Sequence, residues 1–107
     1  MDPLHLARSG GTPADVKALD PKYFPYAQIS DGNLGPGEPN PAMFGKLDFG
    51  MRALPGEGTL PLRELLAALP RDIPFSVELP ISLAPDGTSA RQWAKITADR
   101  TRAFLKG

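Results

Sequence analysis

The chain has 107 residues, enough for one small domain or a piece of a larger one. Twelve basic residues balance twelve acidic ones, so the basic field that a nucleic-acid partner would need is missing. The absence of cysteine excludes a disulfide scaffold and thiolate metal sites and is in keeping with a reducing, cytoplasmic setting.

Met1–Gly11 carries no strand pattern leading into Asp2 and no signal-peptide pattern, and no apolar run in the 107 residues is long enough to cross a bilayer. Thr12-Pro-Ala-Asp15 starts a short helix: Thr12 caps, Pro13 takes the first helical position, and Pro21 ends the helix by Leu19 or Asp20. Tyr26–Ser30 then reads as a strand, with Ala27 and Ile29 on one face and Tyr26, Gln28 and Ser30 on the other. Asp31-Gly32 ends it by turn chemistry. Many of the thirteen prolines and eleven glycines fall between Gly32 and Gly58. That region is expected to be loop, and connections of this length are usually functional or disordered.

Pro61–Leu69 is an amphipathic helix with Leu62, Leu65, Leu66 and Leu69 at helical spacing. Pro70 stops it, Asp72–Pro74 turns the chain, and Phe75–Leu79 follows as a second strand. Ile81–Ser89 is a loop. Ala90–Leu105 is a closing helix capped by Thr88 or Ser89, with Trp93, Ile96, Ala103 and Phe104 near its inner face. Two strands joined through a helix, each with one aliphatic face, are expected to be parallel neighbours, with Pro61–Leu69 and Ala90–Leu105 packed on the same face. The expected fold class is α/β.

Glu78 is the residue that strains this pattern. A strand covered on both faces is apolar throughout, because an unpaired buried charge costs several kcal/mol. Glu78 therefore needs a cation, a metal or open solvent, and it lies at the strand end where parallel α/β proteins bind ligands. The plain alternative is an edge strand with Glu78 in water.

Taken together, Asp2-Pro-Leu-His5, Tyr26-Ala-Gln-Ile-Ser-Asp-Gly32, Arg52-Ala-Leu-Pro-Gly-Glu-Gly-Thr-Leu-Pro-Leu62 and Phe75-Ser-Val-Glu-Leu-Pro80 resemble, in register, the C-terminal half of sugar phosphate isomerase/epimerase proteins of the xylose-isomerase-like TIM-barrel family. The resemblance implies that residues 1–107 are a C-terminal fragment of such a barrel, roughly its sixth to eighth βα units. It implies a divalent metal bound by Asp2, Gln28 and Glu78, with an upstream glutamate completing the set. Gln28 stands where many relatives have histidine, which favours manganese or magnesium over zinc.

His5 and Arg52 would contact substrate, and Glu78 would be both ligand and catalytic carboxylate. The implied reaction is isomerisation or epimerisation of a sugar or sugar phosphate by proton transfer next to a carbonyl. The isolated fragment is expected to be inactive. It should also be marginally stable or self-associating, because the missing N-terminal half leaves edge strands open. Two other classes stay open: a non-enzymatic barrel fragment that pairs with another chain, and an abasic-site endonuclease-like barrel. The single histidine and the balanced charge weigh against the endonuclease.

Overall fold

The first turn of the chain is set by two Asp/Thr–Pro pairs. The computed structural model describes residues 1–34 and 51–107. Asp2 caps helix α1 (Pro3–Arg8) by accepting the Leu4 and His5 backbone N–H groups, with Pro3 in the first turn. Helix α2 (Pro13–Lys17) repeats the device as a full capping box: Thr12 accepts from Asp15 N–H and Asp15 answers to Thr12 N–H. The second helix matches the expectation from sequence. The first was not expected, although Asp2-Pro3 carries the same signal as Thr12-Pro13.

After a single 3-10 turn, Pro21–Tyr23, the chain enters β1 (Ala27–Ile29). Its partner is β4 (Phe75–Val77), and the pair is parallel, with Ala27 opposite Phe75 and Ile29 opposite Val77. The parallel pairing expected from the alternation is present, one or two residues shorter at the ends. The fold is a small mixed α/β arrangement of short strands and helices.

A second, two-residue antiparallel pair lies beyond it: β2 (Asp31–Gly32) against β3 (Arg52–Ala53), with Gly32 opposite Arg52. This corrects the expectation of pure loop from Gly32 to Gly58. Two residues give no periodicity to read, so composition alone hid the pair. The middle of that connection lies outside the described residues.

Helix α3 (Leu62–Ala68) buries Leu62 and Leu65. With Leu69 just beyond it, Leu65 joins Val16, Phe24 and Ala27 in one apolar cluster, edged by Met1, Leu6, Ile73 and Phe75. Each of the buried Val16, Phe24, Leu65 and Leu69 side chains contributes about 1.5–3 kcal/mol by leaving water. The α3 start is uncapped by any side chain; Thr59 instead donates its N–H back to the Gly32 carbonyl.

Helix α4 (Ala90–Lys106) has a Ser89/Gln92 capping box and packs on β4. Its buried stripe is Trp93, Thr97 and Thr101, four residues apart, while Ile96 is exposed. Of the residues expected inward, Ile96 and Ala103 are exposed and Phe104 is half-buried, because hydrophobicity favoured Ile96 over two threonines. Trp93 does sit inward, and its indole N–H donates to the Leu79 and Pro80 carbonyls. Among the described residues, no helix is long and apolar enough to cross a membrane.

Candidate functional site

The polar residues converge at the C-terminal end of the parallel pair. Ser30 follows β1 directly, and Glu78 follows β4 directly. Arg52 comes in on β3, which β2 holds just past Ser30. Asp2 arrives with the N-terminus. The Ala27 N–H bonds to Pro74 O, on the β4 side, while the next amide, Gln28 N–H, bonds to Met1 O at 2.8 Å. Successive amides of a strand face opposite edges, so Met1 lies along the edge of β1 away from β4.

Arg52 is the hub. Its side chain is 1% exposed, and its Nη1 donates to Ser30 Oγ at 2.8 Å. Nη1 also stands 3.1 Å from Asp2 Oδ2, and Nη2 stands 3.4 Å from Glu78 Oε2. A planar guanidinium suits this work because it can span two carboxylates at once. Asp2 divides its duties: Oδ1 caps α1, while Oδ2 is buried and, among the described residues, accepts no hydrogen bond despite the ion pair. The Glu78 carboxylate is 43% exposed and opens on a cleft of about 340 Å³ lined by Arg52, Val77, Glu78, Leu79 and Pro80. Arg52 also lines a smaller hollow with Ala53, Leu54, Glu57 and Trp93.

Asp31 was expected only to turn the chain, and it does more. It is buried, and its carboxylate accepts three backbone N–H groups: Gly32 and Leu60 on Oδ1, Gly56 on Oδ2. It thereby fastens the Pro55–Gly58 loop onto β2, directly behind Arg52. Gly58 must be glycine here, since a Cβ would overlap the Asp31 carboxylate. Gly56 has φ +89° and lies under the Phe104 ring, and Glu57 pairs with Arg100, so the loop is also clasped to α4. The only sequence clue to this role was a short polar residue before glycine, which turns use everywhere.

Of the residues singled out from sequence, Asp2, Arg52 and Glu78 are brought together. His5 is exposed on α1 and is tied to the group through its backbone N–H on Asp2. Gln28 is half-buried in mid-strand opposite Ser76, and the Arg52 ion pairs do not include it.

As a metal centre the arrangement does not fit as it stands. Asp2 and Glu78 offer hard oxygen donors of the right class, but the cation between them is the Arg52 guanidinium. Among the described residues, no three His, Cys, Asp or Glu side chains gather closely enough to hold an ion.

Comparison with protein-family models, with curated proteins and with solved structures returns no match. The functional reading therefore stands on the residues and their geometry.

Proposed function

We propose that the chain supplies the C-terminal βα units, roughly the sixth to eighth, of a xylose-isomerase-like barrel, and with them part of the site of an isomerase or epimerase. The substrate is a sugar or sugar phosphate, and the reaction moves a proton on a carbon next to a carbonyl. One observation carries this reading: Asp2, Arg52 and Glu78, far apart in sequence, meet at the C-terminal end of adjacent parallel strands. That is the end at which parallel barrels do their chemistry. Met1 is bonded along the edge of β1 away from β4, the edge at which a further strand of such a barrel would pair.

In this reading Glu78 takes the proton, since its carboxylate reaches the open cleft. The neighbouring Arg52 guanidinium lines the same cleft and would stabilise the oxygen on which negative charge develops. Ser30 and Asp2 position that guanidinium. His5 would face the substrate, and Gln28 would add a polar group from β1. The manganese or magnesium ion that the resemblance implies takes no part in this reading, because the Arg52 guanidinium stands between the two carboxylates it would need.

The test is deuterium wash-in. The chain is complemented in trans by the first five βα units of a xylose-isomerase-like barrel and given aldoses, ketoses and their phosphates in heavy water. Exchange next to the carbonyl is expected, and Glu78→Gln should lower kcat by about 10²–10⁴ with little change in KM. Full turnover by Glu78→Gln would remove Glu78 from the chemistry. Complementation without any exchange would favour a non-enzymatic partner for another chain.

A further inference from the structure

The chain contains two Asp-Gly steps, Asp31-Gly32 and Asp86-Gly87, and the fold places them in opposite surroundings. An aspartate followed by glycine can react with its own backbone, because no side chain hinders the glycine nitrogen from approaching the carboxyl carbon. We propose that Asp86 is a site of spontaneous isomerisation to isoaspartate, and that the fold withholds the same reaction from Asp31. The inference rests on these two sites alone and is independent of what the chain acts on.

In the first step the Gly87 backbone nitrogen bonds to Cγ of the protonated Asp86 carboxyl. The carboxyl hydroxyl leaves with the N–H proton as water, and a succinimide ring remains. Water then opens the ring at either carbonyl. Attack at Cγ restores aspartate; attack at the Asp86 main-chain carbonyl leaves the chain running through Cβ and Cγ, with the α-carboxylate free. One water leaves and one enters, no electron is transferred, and the charge is unchanged.

Asp86 and Gly87 are the central residues of an exposed turn, closed by the Thr88 N–H on the Pro85 carbonyl at 3.1 Å. Gly87 has φ +82°, the sign that a type II turn needs at its third residue, and open space surrounds the position of its missing Cβ. Among the described residues, neither the Asp86 carboxylate nor the Gly87 N–H makes a hydrogen bond or ion pair. The two reacting groups can therefore turn toward each other without breaking a contact.

Asp31 has no such freedom. It is 2% exposed, and the Gly32, Leu60 and Gly56 N–H groups hold both of its carboxylate oxygens. Gly58 packs so closely that a Cβ there would overlap the carboxylate. Gly32 is itself held in β2, opposite Arg52. Carrying its nitrogen onto the Asp31 carboxyl carbon means opening the β2–β3 pair and releasing the Pro55–Gly58 loop first.

The experiment is incubation of the 107-residue chain at neutral pH, at a temperature where circular dichroism shows it folded, with a parallel sample in guanidinium chloride. Timed samples are mapped as peptides, and electron-transfer fragmentation separates isoaspartate from aspartate at each position. In the folded chain Asp86 should isomerise faster than Asp31 by about tenfold or more, because ring closure at Asp31 must first break hydrogen bonds to a charged group. In guanidinium chloride the two rates should converge. Comparable rates at the two positions in the folded chain would overturn the proposal. So would an Asp86 that stays intact in the folded chain while it isomerises in denaturant, or protection of Asp31 that persists without the fold.

Discussion

The two ends of the β1–β4 pair are built from opposite materials. Toward one end, Val16, Phe24, Ala27, Leu65 and Leu69 pack into a dry cluster that uses no charged group. Just past the other end, Asp2, Ser30, Asp31 and Arg52 are equally buried but polar, and Glu78 leans out beside them. The apolar end needs only matching shapes. The polar end must find a partner for every buried charge, so its residues come from four separate segments and depend on one another. Stability is expected to reside in the first region and chemistry in the second.

The sharpest way to break this comparison is to carve the apolar end. Leu65 is 2% exposed at the centre of the cluster. Leu65→Ala should cost about 2–5 kcal/mol, combining lost transfer energy with the cavity left behind. Urea unfolding measures it. A loss below about 1 kcal/mol would mean that the cluster collapses freely or that the polar end carries more of the stability than its composition suggests.

Within the polar end, the two buried aspartates separate by how their oxygens are used. Asp31 spends both on backbone N–H groups, whereas Asp2 spends one and leaves the other to Arg52. Asp31 is thus a brace and Asp2 is part of the site. Asp31→Asn would set an amide NH₂ against either Gly56 N–H or the Gly32 and Leu60 N–H groups. The expected loss is about 1.5–3 kcal/mol, the range for a hydrogen bond to a charged group. Hydrogen exchange should also quicken at the Gly56 amide before the apolar cluster is affected. Unchanged exchange at Gly56 would show that the Glu57–Arg100 pair and the Phe104 contact hold the loop without Asp31.

The two ends also differed in how far they could be read from sequence. The apolar end follows period and punctuation: Leu62, Leu65 and Leu69 mark α3, Ala27 and Ile29 mark the buried face of β1, and Thr12-Pro13 marks α2. These are local signals, and the structure keeps them. The polar end is non-local. Asp31 finds Gly56 and Leu60 some 25 and 29 residues away, and Arg52 finds Ser30 22 residues away. Nothing in the residues between records those meetings.

Glu78 was legible as a residue in need of a partner, because a carboxylate on an otherwise apolar strand is a local anomaly. The residue alone allowed a cation, a metal or open solvent, and the resemblance pointed to the metal; the structure pairs Glu78 with the Arg52 guanidinium and leaves part of its side chain in solvent. On α4 the misreading was simpler. Thr97 and Thr101 fill the inward stripe, a place that hydropathy alone does not assign to threonine.

The smallest expected effect comes from a carboxylate that belongs to neither end. Asp99 lies on the outer surface of α4, exposed, with Lys95 one turn before it and Arg102 three residues after. Its hydrogen bond from Lys95 Nζ, then the Lys95 charge and more weakly that of Arg102, hold its carboxyl below the ordinary 3.8. A carboxylate whose pKa is lower in the folded state binds its proton less readily there than in the unfolded chain. Its contribution is therefore fully present above 3.8 and is lost as the pH falls through the lower folded value. Because water surrounds the pair, the contribution is small and salt screens it. Asp99→Asn should lower Tm slightly at neutral pH, and the gap should close in strong acid and in concentrated salt. A gap that persists in both would mean that Asp99 supports α4 by something other than its charge, and would set it beside Asp31 as a structural carboxylate.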